Sequence, residues 1–113
     1  MQDILIDTSD AVMTLTINRV AKKNSFTSAM YSACADALEQ ASGDAAVRVV
    51  VIQGDITVFS AGNDIADFLN TPTPGLGAPV LRFLRNLAGF PKPLVAAVCG
   101  PAVGIGTTML FHC

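Results

Sequence analysis

Two short stretches of the chain have the residue types and spacing to do chemistry without a catalytic side chain. Phe59-Ser60-Ala61-Gly62-Asn63-Asp64-Ile65 and Gly100-Pro101-Ala102-Val103-Gly104-Ile105-Gly106 each follow an apolar, β-branched run, and each leads into a helical pattern. A peptide N–H at such a strand-to-helix bend has no carbonyl to pair with inside the helix, and it lies in a partially positive field. Two such bends side by side can aim two N–H groups at one oxygen and so stabilise a developing oxyanion or enolate. The loss of one such donor costs about 2.7–4 kcal/mol of barrier. Small residues let a substrate carbonyl reach the backbone. Strand–Gly–helix bends also arise in α/β proteins for steric reasons alone, and these glycines do not spell the G-x-G-x-x-G dinucleotide fingerprint.

The elements that must position the bends follow from periodicity. Leu5 to Asp7 and Ala11 to Asn18 read as a β-hairpin around a Thr8-Ser9-Asp10 turn, with Met13, Leu15 and Ile17 alternating against Val12, Thr14 and Thr16. A loop from Arg19 to Ser25 carries Arg19, Lys22 and Lys23. Thr27 then caps a helix that runs to about Ala41 and gathers Met30, Cys34, Ala37, Leu38 and Ala41 on one face. Val47 to Gln53 is so uniformly apolar beyond Arg48 that both faces of the strand are expected to be covered, as in an α/β sheet. A short helical segment follows at Ile65 to Leu69, then a Thr- and Pro-rich loop, mobile in character, from Thr71 to Gly77. Ala78 to Gly89 sets Val80, Phe83, Leu84 and Leu87 opposite Arg82, Arg85 and Asn86, an amphipathic helix. Pro91-Lys92-Pro93 ends it and launches a second buried strand, Leu94 to Val98, and a helix is expected from Thr107 onward.

Composition narrows the function classes. With 113 residues there is room for one domain, and it is 51% hydrophobic and 14% charged, against about 25% charged in an ordinary soluble domain. So apolar a chain needs further surface to hide against: more of its own polypeptide, partner subunits or a bilayer. The apolar helical pattern also runs to Phe111-His112-Cys113 without a closing Gly, Asn or Pro. The net charge of −2 and scattered Lys and Arg leave no basic stripe for nucleic acid. Cys34, Cys99 and Cys113 form an odd set with no C-x-x-C spacing, which fits a reducing cytoplasm with no disulfide and no zinc or other metal. Met1-Gln2-Asp3 lacks the charged and apolar regions of a secretory signal. Leu94 to Cys113 contains no Asp, Glu, Lys or Arg and includes Gly100-x-x-x-Gly104, yet Pro101 and three glycines interrupt any spanning helix there, so no membrane segment is expected.

Phe59-Ser-Ala-Gly-Asn-Asp-Ile65 resembles the F-[SA]-[AS]-G-x-D-[IL] segment of the enoyl-CoA hydratase/isomerase (crotonase-like) family. Lys92-Pro-Leu-Val-Ala-Ala-Val-Cys-Gly-Pro-Ala-Val-Gly-Ile-Gly106 resembles that family's K-P-[VL]-[IV]-A-A-V-x-G-x-[AC]-x-G-G-G run. The opening strands and the Asn18-Arg19…Lys23-Asn24-Ser25-Phe26 loop fit as well. The resemblance implies an α/β fold, a crotonase-like spiral of ββα units truncated after the second oxyanion-hole turn, with residues 1–113 the amino-terminal part of a single domain. It implies that the backbone N–H groups of Asn63 and Ile105 form an oxyanion hole for the thioester carbonyl of an acyl-CoA. It further implies that Ala61, Gly62, Asn63, Asp64, Ile65 and Gly104 border the substrate, and that Lys22, Lys23 and Ser25 approach the nucleotide end of CoA, where a Lys meets phosphate as a point charge. Solvated surface lysines are the plain alternative. Asp64 reads as a helix cap rather than a base. No cofactor is implied, since CoA is part of the substrate, and a homotrimer or hexamer is.

The departures bear on the reaction. Hydratases of the family place a Glu two residues after the last glycine of the run, and here that residue is Thr108. The Gly-Asn-Asp and Gly-Pro-Ala-Val-Gly-Ile variants resemble the Δ3-Δ2-enoyl-CoA isomerase branch, in which one carboxylate suffices and lies further along than Cys113. The alternatives are an enoyl-CoA hydratase and a non-catalytic acyl-CoA-binding or assembly protein. His112 has no Ser or Cys partner placed by motif. Met30 and Tyr31 read as core or edge residues.

Overall fold

The computed structural model describes residues 2–70 and 78–113, so the expected Thr71–Gly77 loop lies outside the described residues. Strands β1 (Ile4–Ser9) and β2 (Val12–Ile17) form the hairpin, and β3 (Val49–Gln53) and β4 (Leu94–Ala97) follow β2 in parallel, giving the order β1-β2-β3-β4. The helices are α1 (Ser28–Gly43), α2 (Ile65–Asn70), α3 (Pro79–Ala88) and the single turn α4 (Ile105–Thr108), with short 3-10 turns at Val20–Lys22 and Met109–His112.

One face of the sheet is the core. Met13, Leu15 and Ile17 of β2, Val50 and Ile52 of β3 and Leu94 of β4 are buried with Met30, Cys34, Leu38 and Ala41 of α1 and Phe83 and Leu87 of α3. The Thr27 side chain accepts from the Met30 amide at 3.2 Å and starts α1 as expected. Helices α1 and α3 are clipped together on their outer sides. Arg82 donates to Glu39 and Asp36, and Asn86 donates to the Ala35 carbonyl. The far end of α1 is held by Lys92, whose Nζ donates to the carbonyls of Ala41, Asp44 and Val47 at 2.6, 2.7 and 2.6 Å. A cation there also suits the negative end of the helix dipole.

Four expectations are corrected. The hairpin turn is Asp10-Ala11, both at positive φ (51° and 66°), because Ser9 pairs with Val12 and leaves a two-residue loop. Burial in β3 alternates, with Val50 and Ile52 buried and Val49 and Val51 only half-buried, so one face of the strand is covered rather than both. β4 buries Leu94 alone and leaves Val95 and Ala97 exposed, because it pairs with β3 on one side and is the last strand in the order. Helix α4 starts at Ile105, two residues before the expected Thr107.

Candidate active site

The two glycine bends lie against each other at the ends of β3 and β4. Phe59 and Ser60 donate their amides to the Pro101 carbonyl at 3.0 and 3.3 Å, and Val103 donates back to the Ser60 carbonyl at 2.9 Å. Ser60 and Ala102 thereby form a parallel bridge. Gly62 (φ 99°) and Gly104 (φ 59°) have backbone conformations that L side chains rarely adopt. Their contact is also close: a Cβ on Gly62 would lie 3.1 Å from the Val103 carbonyl, and one on Gly104 would lie 3.4 Å from the Gly62 Cα.

Asn63 and Ile105 occupy equivalent places, each just after one of these glycines. Among the described residues neither backbone N–H donates a hydrogen bond, whereas the neighbouring amides of Gly62, Asp64 and Gly106 all do. Their directions follow from the planar trans peptide, in which N–H and C=O point oppositely. The Gly62 carbonyl is held by the Phe26 amide at 2.7 Å, so the Asn63 N–H points away from Phe26. The Gly104 carbonyl accepts from Thr107 and Thr108 at 3.0 Å each, so the Ile105 N–H points out of the start of α4. Both helices are short, six and four residues, so the unpaired groups themselves, more than a long helix's field, make these bends attractive to an oxygen.

The loop between β2 and α1 holds the first bend from the other side. Phe26 bridges Asn63, with Asp64 donating to the Phe26 carbonyl at 2.8 Å, and Ala61 donates to the Lys23 carbonyl at 3.0 Å. Asn24, fully buried and at φ 55°, is the hub. Its Nδ2 donates to the carbonyls of Val58 (3.3 Å) and Phe59 (3.1 Å), its Oδ1 accepts from the Arg19 amide (2.7 Å), and its carbonyl accepts from the Ser60 hydroxyl (2.9 Å). Sequence reasoning assigned Asn24 no such part. The only signal available was an Asn in a loop, a residue that tolerates positive φ.

Of the other expected site residues, Asp64 caps α2 through the Asp67 amide (2.9 Å) and pairs with Arg19 (2.8 Å). The Asp67 amide and then the Arg19 guanidinium hold its carboxyl below the usual carboxylate range, which weakens it as a base. The Ser25 hydroxyl and carbonyl oxygens accept from the same guanidinium, both at 3.0 Å. Lys22 and Lys23 are exposed, and the Lys23 carbonyl puts them beside Ala61 at the site's edge. Ile65 is exposed on α2, while the Ile105 side chain is buried in the core. Cys34 is buried, and burial pushes its thiol up. His112 lies on the 3-10 turn Met109–His112. No helix among the described residues is long and apolar enough to cross a membrane, and Leu94 to Cys113 folds as strand, bend and short helices.

Beside Asn63 opens a cleft of about 440 Å³, its mouth included, walled by Phe26, Tyr31, Phe68, Pro79 and Val80 among the described residues. Tyr31 and Asn63 both line it, and the Tyr31 hydroxyl donates to the Asn63 Oδ1.

Paired glycine bends at the ends of parallel strands, each followed by a main-chain amide without a partner among the described residues, mark one class of α/β protein. The chain belongs to the enoyl-CoA hydratase/isomerase family, whose profile matches residues 7–113, and it has the crotonase fold. It is 40% identical to 1,2-epoxyphenylacetyl-CoA isomerase of Escherichia coli (strain K12), covering 96% of this chain and 44% of that protein. It is 41% identical to enoyl-CoA delta isomerase 2 of Rattus norvegicus, covering 95% and 29%. Hydratases stand among the relatives too: 2,3-dehydroadipyl-CoA hydratase of E. coli (strain K12) is 33% identical, over 100% and 45%. The solved structure of Pseudomonas aeruginosa OdaA matches all of this chain and 46% of its own, at 50% identity and a TM-score of 0.96. The chain thus spans less than half the length of each of these proteins.

Proposed function

We propose that the protein shifts the double bond of an enoyl-CoA from position 3 to 2-trans, and that the amides of Asn63 and Ile105 hold the thioester oxygen throughout. The observation that carries this reading is the pair of unpartnered N–H groups, each following one of two glycines in contact. In the reaction a base removes a proton from C2, and its electrons pass through the carbonyl to leave a dienolate. The dienolate oxygen accepts from both amides, and the proton returns at C4 as the double bond moves to C2–C3. No atom is added or lost, and CoA enters as part of the substrate. The cleft beside Asn63 takes the acyl group, and exposed Lys22 and Lys23 at the site's edge meet the nucleotide phosphates.

Isomerisation is favoured over hydration because Thr108 stands where the hydratase Glu is expected, and its hydroxyl donates to the Gly104 carbonyl at 3.2 Å. The likeness to an enoyl-CoA delta isomerase at 41% identity points the same way. Asp64 is spent on Arg19 and on α2, so it is not the base in this reading. The same reading places the chain as the amino-terminal part of one domain, in a cytoplasmic homotrimer or hexamer. The test is to express the complete reading frame and offer it 3-enoyl-CoA and 2-trans-enoyl-CoA separately. Conversion of the first to the conjugated thioester with little hydration of the second is expected. Fast hydration of the second would make it a hydratase, and tight acyl-CoA binding without turnover would make it a binding protein.

A further inference from the structure

One polar contact in the cleft is not used by the proposed reaction. The Tyr31 hydroxyl, on the first turn of α1, donates to the side-chain oxygen of Asn63, 32 residues away. Tyr31 has little freedom of its own. It is 4% exposed, and its ring stacks on Phe26 at 4.9 Å and leans on Phe83 at 5.7 Å. Burial pushes its phenol well above the ordinary tyrosine value, so it stays protonated and donating at neutral pH.

Asn63, by contrast, is exposed and follows a glycine. Its backbone has holds on either side, the Phe26 amide on the Gly62 carbonyl and the Asp64 amide on the Phe26 carbonyl. Both holds go to one residue, Phe26. Rotation of the Gly62–Asn63 peptide would break the Gly62 carbonyl's bond to Phe26 and swing the Asn63 N–H, and a second bond, from a separate element to the Asn63 side chain, opposes it. Tyr31 supplies that bond from a helix anchored in the core. We propose that Tyr31 is a positioning residue, whose hydroxyl holds the Asn63 carboxamide and so keeps the Asn63 N–H aimed at the thioester oxygen as charge develops there. The inference rests on the reading of Asn63 and Ile105 as the oxyanion pair.

The test uses protein from the complete reading frame. Tyr31→Phe keeps the ring stack and deletes one oxygen. A partly misaimed donor should lower kcat by about tenfold, less than the roughly hundredfold or more expected for a lost one, with KM for the acyl-CoA and the melting temperature unchanged. Asn63→Ala should lower kcat similarly, and adding Tyr31→Phe to it should cost nothing more, because the hydroxyl then has nothing to hold. A Tyr31→Phe enzyme with wild-type kcat overturns the proposal. So does an equal loss from Tyr31→Phe with and without the Asn63 side chain, or a fall in kcat accompanied by a raised KM and a lowered melting temperature. If the wild-type protein turns over no acyl-CoA at all, the reading of the site fails instead, and the two failures are told apart by that first measurement.

Discussion

Gly104 is the position where the geometry makes the sharpest demand. It sits at φ 59°, ψ −123°, outside the regions L residues favour, and holding a side-chain-bearing residue there costs on the order of 1–3 kcal/mol. Space is the lesser problem in Gly104→Ala, since the new Cβ would meet the Gly62 Cα at 3.4 Å, an ordinary contact. Relief of the strain through the Gly104–Ile105 peptide pulls the Gly104 carbonyl off the Thr107 and Thr108 amides and turns the Ile105 N–H out of the site. A lost oxyanion donor is worth about 2.7–4 kcal/mol, or a fall of roughly 10²–10³ in kcat. The assay is appearance of the conjugated enoyl thioester in the ultraviolet, with thermal unfolding followed in parallel. Gly43→Ala is the control, since Gly43 ends α1 with nothing within 4 Å of a new Cβ, and it should leave kcat alone. Near-wild-type kcat in Gly104→Ala would refute the assignment of Ile105 as a donor.

Three further outcomes follow from the packing. Lys92→Met should destabilise the protein by about 2–4 kcal/mol, less than three separate charged hydrogen bonds, because the Ala41 and Asp44 carbonyls keep the amides of Asp44 and Val47; urea unfolding checks it, and an unchanged midpoint contradicts it. Asn24→Ala should cost a similar ~2–4 kcal/mol, since it strips the partner from the Phe59 carbonyl and the Arg19 amide while the Val58 carbonyl keeps the Asp55 amide, and amide exchange should quicken first in residues 58–62. Glu39 is held down to about 2 by hydrogen bonds from Arg82 and then Asn86. Its folded pKa is depressed, so its contribution is complete above the ordinary glutamate range and fades as pH falls toward 2. The stability difference between wild type and Glu39→Gln should therefore shrink across that window and shrink with added salt, the pair being exposed; a difference that grows on acidification contradicts it.

Local physics made much of this protein readable from its sequence. The alternation of Met13, Leu15 and Ile17 set which face of β2 is buried, and Thr27 marked the start of α1 through its side-chain oxygen. The amphipathic spacing from Val80 to Leu87 named the inward face of α3, and the two glycine bends announced themselves by residue type and order. What stayed hidden depended on distant partners. Nothing in Lys92 tells of three carbonyls 45 to 51 residues earlier, and nothing in Asn24 tells of Val58 and Phe59. Tyr31 read as a core residue, which its ring is, while its hydroxyl serves a bend 32 residues on. The hairpin turn lies at Asp10-Ala11 rather than at Thr8-Ser9-Asp10, because Ala11 adopts positive φ without the Gly or Asn that would advertise it. The apolar run in β3 predicted two covered faces, since hydrophobicity records what a strand needs rather than which element supplies it.

The central claim is tested most directly by a crystal structure of the protein from its complete reading frame with an unreactive acyl-CoA analogue bound. The thioester oxygen, or the atom replacing it, should lie about 2.7–3.1 Å from the backbone nitrogens of both Asn63 and Ile105. An analogue bound in the cleft with that oxygen hydrogen-bonded elsewhere, and both amides taken by water or by side chains, would contradict the account.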